Sequence, residues 1–113
     1  MKTTVGLVEK VEIAGQQKKK VLAKFDTGAA RTTIDIYLAG KVQLGPVVGR
    51  AKIRTAHGIG RRPIVLAQLN ILGKAISASV ALADRKNQKY KLLIGRDIIS
   101  RHFIVDTSKT KSI

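Results

Sequence analysis

Apolar and polar residues alternate along most of this chain, which is the pattern of strands that bury one face. Strands are predicted over residues 3–13, 19–25, 31–38, 47–56, 61–71, 75–84, 89–94 and 103–105. Residues 96–102 instead suit one or two helical turns after Gly95. Residues 75–84 are rich in alanine, so a helix is a second interpretation there. The pattern predicts a mainly β domain with one short helix near its C-terminal end.

Turns separate the predicted strands, and most of them contain glycine. Turns or loops are predicted at 14–18, 39–46, 72–74 and 85–88. One hairpin is joined across His57, Gly58, Ile59 and Gly60. Two glycines at a tip permit positive φ and let a ligand backbone approach closely. By itself, however, this pattern is more typical of an ordinary glycine-rich turn than of a binding loop.

The length and charge of the chain limit its class. Its 113 residues predict a single domain, residues 1–113, with a modest core. The 22 basic and 7 acidic residues give a net charge of +15. Such a charge attracts polyanions, so nucleic acid, the ribosome and acidic peptides are candidate partners. A generally basic, solvated surface explains the same charge, and the two phenylalanines and two tyrosines offer little for base stacking.

Several kinds of site are excluded or disfavoured by residue content. The chain has no cysteine, so it forms neither disulfides nor cysteine-ligated zinc sites. Its two histidines, His57 and His102, do not form an H-E-x-x-H motif, and no Gly-Lys-Ser/Thr phosphate loop occurs. We therefore expect neither metal nor cofactor. No apolar run approaches the roughly 20 residues of a membrane span, and no secretory signal is seen, which predicts a cytoplasmic protein without membrane contact.

One carboxylate has an unusual setting. Asp26 is the only acid between Glu12 and Asp35, and it follows an apolar approach that ends in Phe25. A lone carboxylate at a strand end is usually a turn former or a cap. Here, however, Gly28 lets a backbone N–H approach the carboxylate, and Thr27 can hydrogen-bond to a partner. The small residues that follow leave a cleft wall open to a peptide backbone.

The turn and a later segment together resemble the retropepsin-like aspartic proteases. The resemblance rests on Phe25-Asp26-Thr27-Gly28-Ala29, on the glycine-tipped hairpin where that family has its flap, and on Leu93-Ile94-Gly95-Arg96-Asp97. Further motifs resemble the bacterial and archaeal RimK-associated peptidases, some labelled "ATP-dependent zinc protease": Arg61-Arg62-Pro63-Ile64-Val65, Ala83-Asp84-Arg85, Tyr90 to Arg96 and Phe103-Ile104-Val105-Asp106. The resemblance implies an all-β, retropepsin-like (acid protease) closed β-barrel with one short C-terminal helix.

The resemblance also implies roles for individual residues. Asp26 would be catalytic, and Thr27 and Gly28 would position it. Gly95 and Arg96 would support the turn from below. Substrate would contact the residues after the turn and at the flap, which are Ala29, Ala30, Arg31, His57, Gly58, Ile59 and Gly60. The remaining acids Asp35, Asp84 and Asp97 are interpreted as structural.

Aspartic proteolysis needs two carboxylates that share a proton, and this chain has one Asp-Thr-Gly. Asp106-Thr107-Ser108 lacks the glycine and lies too near the end to be followed by a strand and flap. A symmetric homodimer that contributes two copies of Asp26 is therefore the expected solution. Retroviral relatives have further acids after the turn, where this chain has Ala30 and Arg31, so Arg96 needs another partner. The polar C-terminal tail, residues 108–112, is unlike an apolar dimer strand.

These observations lead to a main hypothesis and two alternatives. The chain is expected to be an endopeptidase acting on peptide or protein substrates, and Arg31, Arg61 and Arg62 favour acidic ones. The RimK association, which concerns glutamate tails, implies the same preference. One alternative is a non-catalytic basic β-barrel that binds RNA or the ribosome. The other is a dimeric peptide-binding module without turnover.

Overall fold

A computed structural model of the chain describes residues 1–109 and contains nine strands and two short helices in that range. The elements are β1 (Thr3–Val5), β2 (Val8–Ala14), β3 (Lys18–Phe25), β4 (Thr33–Asp35), α1 (Ile36–Lys41), β5 (Gly49–Thr55), β6 (Gly58–Ile71), β7 (Lys74–Ala83), β8 (Leu92–Ile94), α2 (Arg96–His102) and β9 (Phe103–Val105). The predicted helix 96–102 is confirmed. Residues 74–83 form a strand, so the helical alternative there is wrong. No helix among residues 1–109 is long and apolar enough to cross a membrane.

Six strands close into a barrel. The larger sheet has the order β2-β3-β8-β4-β7-β6-β5, and β2 also pairs with β6. Because β2 pairs with β6, six strands of this sheet form a closed ring, and β5 is the one strand of the sheet outside that ring. The predicted retropepsin-like closed barrel is confirmed. β5 pairs with the first half of β6 to form a hairpin that projects from the barrel, and we call residues 49–64 the flap hairpin.

Strict alternation of side chains builds the barrel interior. In β6, Val65, Ala67, Leu69 and Ile71 are buried, whereas the residues between them are exposed. Phe25, the last residue of β3, is 1% exposed, and its ring meets that of Phe103 edge-on at 5.6 Å. A fully buried phenylalanine contributes about 1.5–3 kcal/mol relative to an exposed one. The core therefore anchors the residue that immediately precedes Asp26.

The two ends of the described chain pair with each other. β1 and β9 form a parallel two-stranded sheet, and beyond it the Asp106 N–H donates to the Val5 carbonyl at 2.8 Å. The Leu7 N–H donates to the Lys109 carbonyl at 2.9 Å. The start of the polar tail thus lies against its own chain. Residues 110–113, the rest of that tail, lie outside the described residues.

The structure corrects several predicted element boundaries. The strand predicted over 89–94 covers only Leu92–Ile94. Of the strand predicted over 31–38, only Thr33–Asp35 is a strand, and a second helix, Ile36–Lys41, follows and takes up the start of the loop predicted at 39–46. Asp35 caps that helix by accepting hydrogen bonds from the Tyr37 and Leu38 N–H groups at 3.2 and 3.3 Å. The strand predicted over 3–13 is interrupted at Gly6, because the tail packs there. A Cβ on Gly6 would lie 2.8 Å from the Lys109 carbonyl oxygen.

The hairpin tip is tighter than predicted. The turn consists of Ala56 and His57, and β6 begins directly at Gly58. Gly58 has φ +120°, in the region that favours glycine. Gly60 does not have a positive φ and pairs with Ile53 in the ladder. The expected left-handed backbone therefore occurs at one of the two glycines.

Candidate active site

Asp26 stands at the end of β3, where the chain leaves the barrel. Its N–H donates to the Ile94 carbonyl at 2.8 Å, which continues the β3–β8 pairing by one residue. Its half-buried carboxylate accepts a hydrogen bond from the Gly28 N–H at 2.9 Å. A Cβ on Gly28 would lie 3.2 Å from that carboxylate oxygen, so glycine leaves the space this close approach needs. The turn holds Asp26 with one oxygen bonded and its backbone tied to β8.

The Gly95-Arg96 segment lies against the turn, as the resemblance implied. The Arg96 N–H donates to the Ala29 carbonyl at 2.8 Å, and its Nη1 donates to the Thr27 carbonyl at 3.1 Å. Arg96 was expected to need a partner other than the missing acids, and this carbonyl is that partner. A Cβ on Gly95 would lie 2.7–2.9 Å from backbone atoms of Arg31, so the two segments touch directly.

A hydrogen-bonded pair that sequence reasoning missed ties the same segments together. Thr32 is fully buried, and its Oγ1 donates to Asp97 Oδ1 at 2.8 Å while its N–H lies 3.1 Å from both carboxylate oxygens. Thr32 Oγ1 also accepts from the Gly95 N–H at 3.1 Å. Asp97 was expected to be structural, but no pattern in the sequence marked Thr32 as its partner.

Thr32→Val is expected to lower the free energy of unfolding by about 1–3 kcal/mol, because valine keeps the shape but leaves the buried Gly95 N–H without a partner. It also removes the hydroxyl hydrogen bond to Asp97, whose carboxylate keeps its backbone donors at residues 32 and 98. Urea unfolding measures the loss. Thr33→Val is the matched control, since the Thr33 hydroxyl makes only a 3.3 Å hydrogen bond to the Arg31 carbonyl. Equal stability of the two variants would contradict the proposed support.

A cleft of about 810 Å³ opens beside the turn, between the barrel and the flap hairpin. Its lining comprises Gly28, Ala29, Ala30, Arg31, Thr33, Lys52, Ile53, Arg54, Arg62, Arg85, Leu93, Arg96 and Asp97. Five predicted site residues are therefore brought together there, at positions 28–31 and 96. His57 to Gly60 lie at the exposed tip of the hairpin and are not part of the lining. Their contact with substrate stays a prediction.

The cleft is strongly basic. Six lining residues are lysine or arginine, and its one acid, Asp97, is hydrogen-bonded to Thr32. Arg62 lines the cleft, as expected, but Arg61 does not. Arg85 also lines the cleft, although it was predicted only as part of a turn and of the Ala83-Asp84-Arg85 motif, with no role in the site. Burial lowers the pKa of the Arg85 guanidinium from its ordinary value, and Arg62 lowers it further, whereas Asp35 and Asp26 oppose the shift. These contributions place Arg85 within electrostatic reach of both Arg62 and Asp26.

The other carboxylates have local structural contacts. Asp84 accepts from the Lys86 N–H at 3.1 Å, and Asp106 accepts from the N–H and hydroxyl of Ser108. The Ser108 hydrogen bonds hold the pKa of Asp106 below its ordinary value. Asp106 thus closes a turn after β9. Over residues 1–109, no three His, Cys, Asp or Glu side chains are grouped so that they could hold a metal ion.

A comparison with protein families identifies the family of this chain. A model of the RimB-like family, described as "Retropepsin-like aspartic endopeptidase RimB", matches residues 38–113. The chain belongs to the RimB-like family. The match begins after the Asp26 turn and includes the flap hairpin and the Gly95-Arg96 segment. No curated protein matches this RimB-like chain.

Solved structures show the same fold. A Legionella pneumophila protein of unknown function (DUF785) has a TM-score of 0.72 and 26% identity, over 99% of this chain and 98% of that one. The EIAV protease complexed with the inhibitor HBY-793 has a TM-score of 0.67 and 18% identity, over 83% and 85%. The simian foamy virus protease has a TM-score of 0.61 and 19% identity, over 82% and 91%. None of these matches supports the RimK-associated or zinc-protease label.

Proposed function

We propose that this RimB-like chain is an aspartic endopeptidase that acts as a homodimer, with residues 1–113 as one domain. The main support is Asp26 itself, a half-buried carboxylate at the end of a barrel strand, oriented by the Gly28 N–H beside a cleft. The other acids of residues 1–109 whose contacts are described above have structural partners. Membership of the RimB-like family supports the same reaction class.

Two copies of Asp26 would supply the chemistry. Two carboxylates about 3 Å apart cannot both ionise, so the pair shares one proton and titrates as a unit. The ionised carboxylate takes a proton from water, whose oxygen attacks the scissile carbonyl carbon, while the protonated carboxyl donates to the carbonyl oxygen. The tetrahedral intermediate then collapses as the peptide nitrogen is protonated and leaves. One chain lacks the second carboxylate, so a two-fold axis beside Asp26 is required.

The substrate would lie extended between the turn and the flap hairpin. Ala29 and Ala30 present little side chain on the turn side of the cleft. An extended peptide can hydrogen-bond through its backbone to such a wall and to a flap strand. His57, Gly58, Ile59 and Gly60 would then cover the substrate from the tip. Thr27 would help to place Asp26 through the carbonyl that Arg96 holds.

The charge of the cleft supports a preference for acidic substrates. Six basic lining residues surround a single acid that is already hydrogen-bonded. Charge-assisted hydrogen bonds from arginine to carboxylate are among the stronger polar contacts.

A peptide of glutamates is therefore expected to be cleaved with a kcat/KM about ten- to a hundredfold above that of its glutamine counterpart at low ionic strength, and the advantage should shrink as salt is added. Product mapping by mass spectrometry from acid to neutral pH measures both rates. Equal rates would remove the acidic preference but leave the peptidase. Absence of cleavage of every peptide at every pH would overturn the peptidase itself.

A non-catalytic basic barrel that binds RNA, the ribosome or peptides is the second candidate. The observation that favours it is the net charge of +15. A cytoplasmic location, which either function would suit, stays a prediction.

A further inference from the structure

Two arginines approach the same part of the cleft from different elements. Arg62 belongs to the flap hairpin and lies two residues before Ile64, whose partner across the ladder is Ala81 in β7. Arg85 lies just past the end of β7, in the loop that leads to β8. Both are partly buried, and both line the cleft. One guanidinium thus comes from the flap hairpin, and the other comes from a loop of the barrel.

Two hydrogen bonds hold Arg85 in place, one through its backbone and one through its side chain. Its backbone N–H donates to Asp35 Oδ1 at 2.7 Å, and its Nε donates to the Tyr90 carbonyl at 3.0 Å. The Nε bond uses one of the five guanidinium donors and sets the direction of the side chain. The Nη donors have no described protein partner. The guanidinium therefore presents N–H donors in a fixed direction, and such donors can bind a planar carboxylate or a tetrahedral phosphate through paired hydrogen bonds.

Within residues 1–109, neither arginine forms a salt bridge with a carboxylate. The one ion pair within residues 1–109 is Lys86–Asp84, at 3.8 Å on the surface. Asp35 already accepts three backbone N–H groups. Burial and the charge of Arg62 lower the pKa of Arg85, and the opposing charges of Asp35 and Asp26 offset only part of this effect. Such an arrangement is costly unless an anion occupies the space between the charges.

We infer that Arg62 and Arg85 form a binding site for an oxyanion, either inorganic phosphate or a carboxylate side chain, that bridges the flap hairpin and the barrel. Both oxyanions accept paired hydrogen bonds from a guanidinium fork. A bound anion replaces the repulsion between the two arginines by attraction to each. Occupancy therefore holds the flap hairpin against the barrel beside Asp26. The inference goes beyond the proposed peptidase, since anion binding needs no turnover.

Titration calorimetry of the wild-type chain with inorganic phosphate, at constant ionic strength set by chloride, tests the site. Arg62→Gln and Arg85→Gln are each expected to weaken phosphate binding about tenfold or more, because each removes charge-assisted hydrogen bonds. Arg61→Gln is the matched control, since Arg61 carries the same charge next to Arg62 but is exposed and is not in the lining. It should stay within about twofold of wild type, the change expected from net charge alone.

Amide hydrogen exchange supplies a second readout. Phosphate is expected to slow exchange in β5 and in the first half of β6 in the wild type and in Arg61→Gln, but not in Arg62→Gln. If Arg85→Gln unfolds because the bond to Tyr90 is lost, Arg62→Gln alone decides, because Arg62 makes no described side-chain hydrogen bond. No phosphate binding by the wild type, or equal loss in Arg61→Gln and Arg62→Gln, would overturn the site.

Two blocked single-residue probes separate the sources of the anion. N-acetylglutamate methylamide and its glutamine analogue differ only in the carboxylate and are too short to be endopeptidase substrates. Displacement of phosphate by the glutamate probe alone assigns the site to an acidic side chain of a substrate. Phosphate binding that neither probe disturbs assigns it to a free anion. Displacement by both probes alike would contradict recognition by charge and overturn the inference.

Discussion

Asp26→Asn is expected to lower kcat for peptide hydrolysis by about a thousandfold or more while the barrel stays folded, because the general base and its proton-sharing partner are lost together. Asparagine keeps an oxygen that can accept from the Gly28 N–H, so the turn should persist. Initial rates on one peptide, with urea unfolding alongside, measure both effects. Asp84→Asn is the matched control, since Asp84 is exposed and contacts only Lys86. Its rate should be unchanged.

The same variant tests whether two chains share the site. If subunits exchange freely, an equal mixture of wild type and Asp26→Asn is expected to keep about a quarter of the activity of an all-wild-type sample, because only one dimer in four has two carboxylates. Chains that work independently would keep half. Full activity of Asp26→Asn by itself would refute the assignment of Asp26.

Gly95→Ala is expected to lower the free energy of unfolding by about 1–3 kcal/mol, the usual cost of inserting a methyl group into a packed contact. The new Cβ would lie 2.7 Å from the Arg31 carbonyl carbon and 2.9 Å from its nitrogen and oxygen. These are backbone atoms, so no side chain can rotate away. The shift would also strain the Gly95 N–H bond to Thr32 and move Arg96 away from the turn. Urea unfolding and the peptidase rate should both fall.

Gly49→Ala is the control for that substitution. No atom lies within 4 Å of its Cβ position, and its φ is not in the left-handed region. A surface change of this kind usually alters stability by no more than about 0.5 kcal/mol. If Gly95→Ala were as stable and as active as Gly49→Ala, the Gly95-Arg96 segment would not support the turn.

The element boundaries were predicted most accurately for β7, α2 and β9. Period-two burial in β6 and β7 follows from the alternation alone, because strand side chains point alternately to two faces. The helix α2 follows from residues adjacent in sequence, since Gly95 ends one element and begins the next. The tip of the flap hairpin was placed less accurately. Gly58 suits a two-residue turn at Ala56 and His57 as well as the predicted four-residue turn at 57–60, so the sequence does not distinguish the two.

Contacts between distant residues account for what the pattern missed. The first residues of helix α1 were predicted as the end of a strand because the preceding residues 32–36 are mostly β-branched. The helix begins there because Asp35 caps it, and the Asp35 carboxylate is also held by the Arg85 N–H, 50 residues away. Thr32 meets Asp97 across 65 residues. Such pairs leave no periodic signal, since each partner alone resembles an ordinary polar residue.

The sequence by itself predicted the mainly β architecture and the apolar strand that ends at Asp26, because both depend on residues close together in the chain. Only the tertiary structure decided which lysine and arginine side chains line the cleft. Arg61 and Arg62 are adjacent and chemically identical, yet Arg62 is partly buried in the lining of the cleft, whereas Arg61 is exposed and lies outside the lining. Arg85 reaches the cleft because the loop after β7 folds back and holds its Nε against Tyr90. The turn at Asp26 is local, whereas its electrostatic surroundings are assembled by the closed barrel.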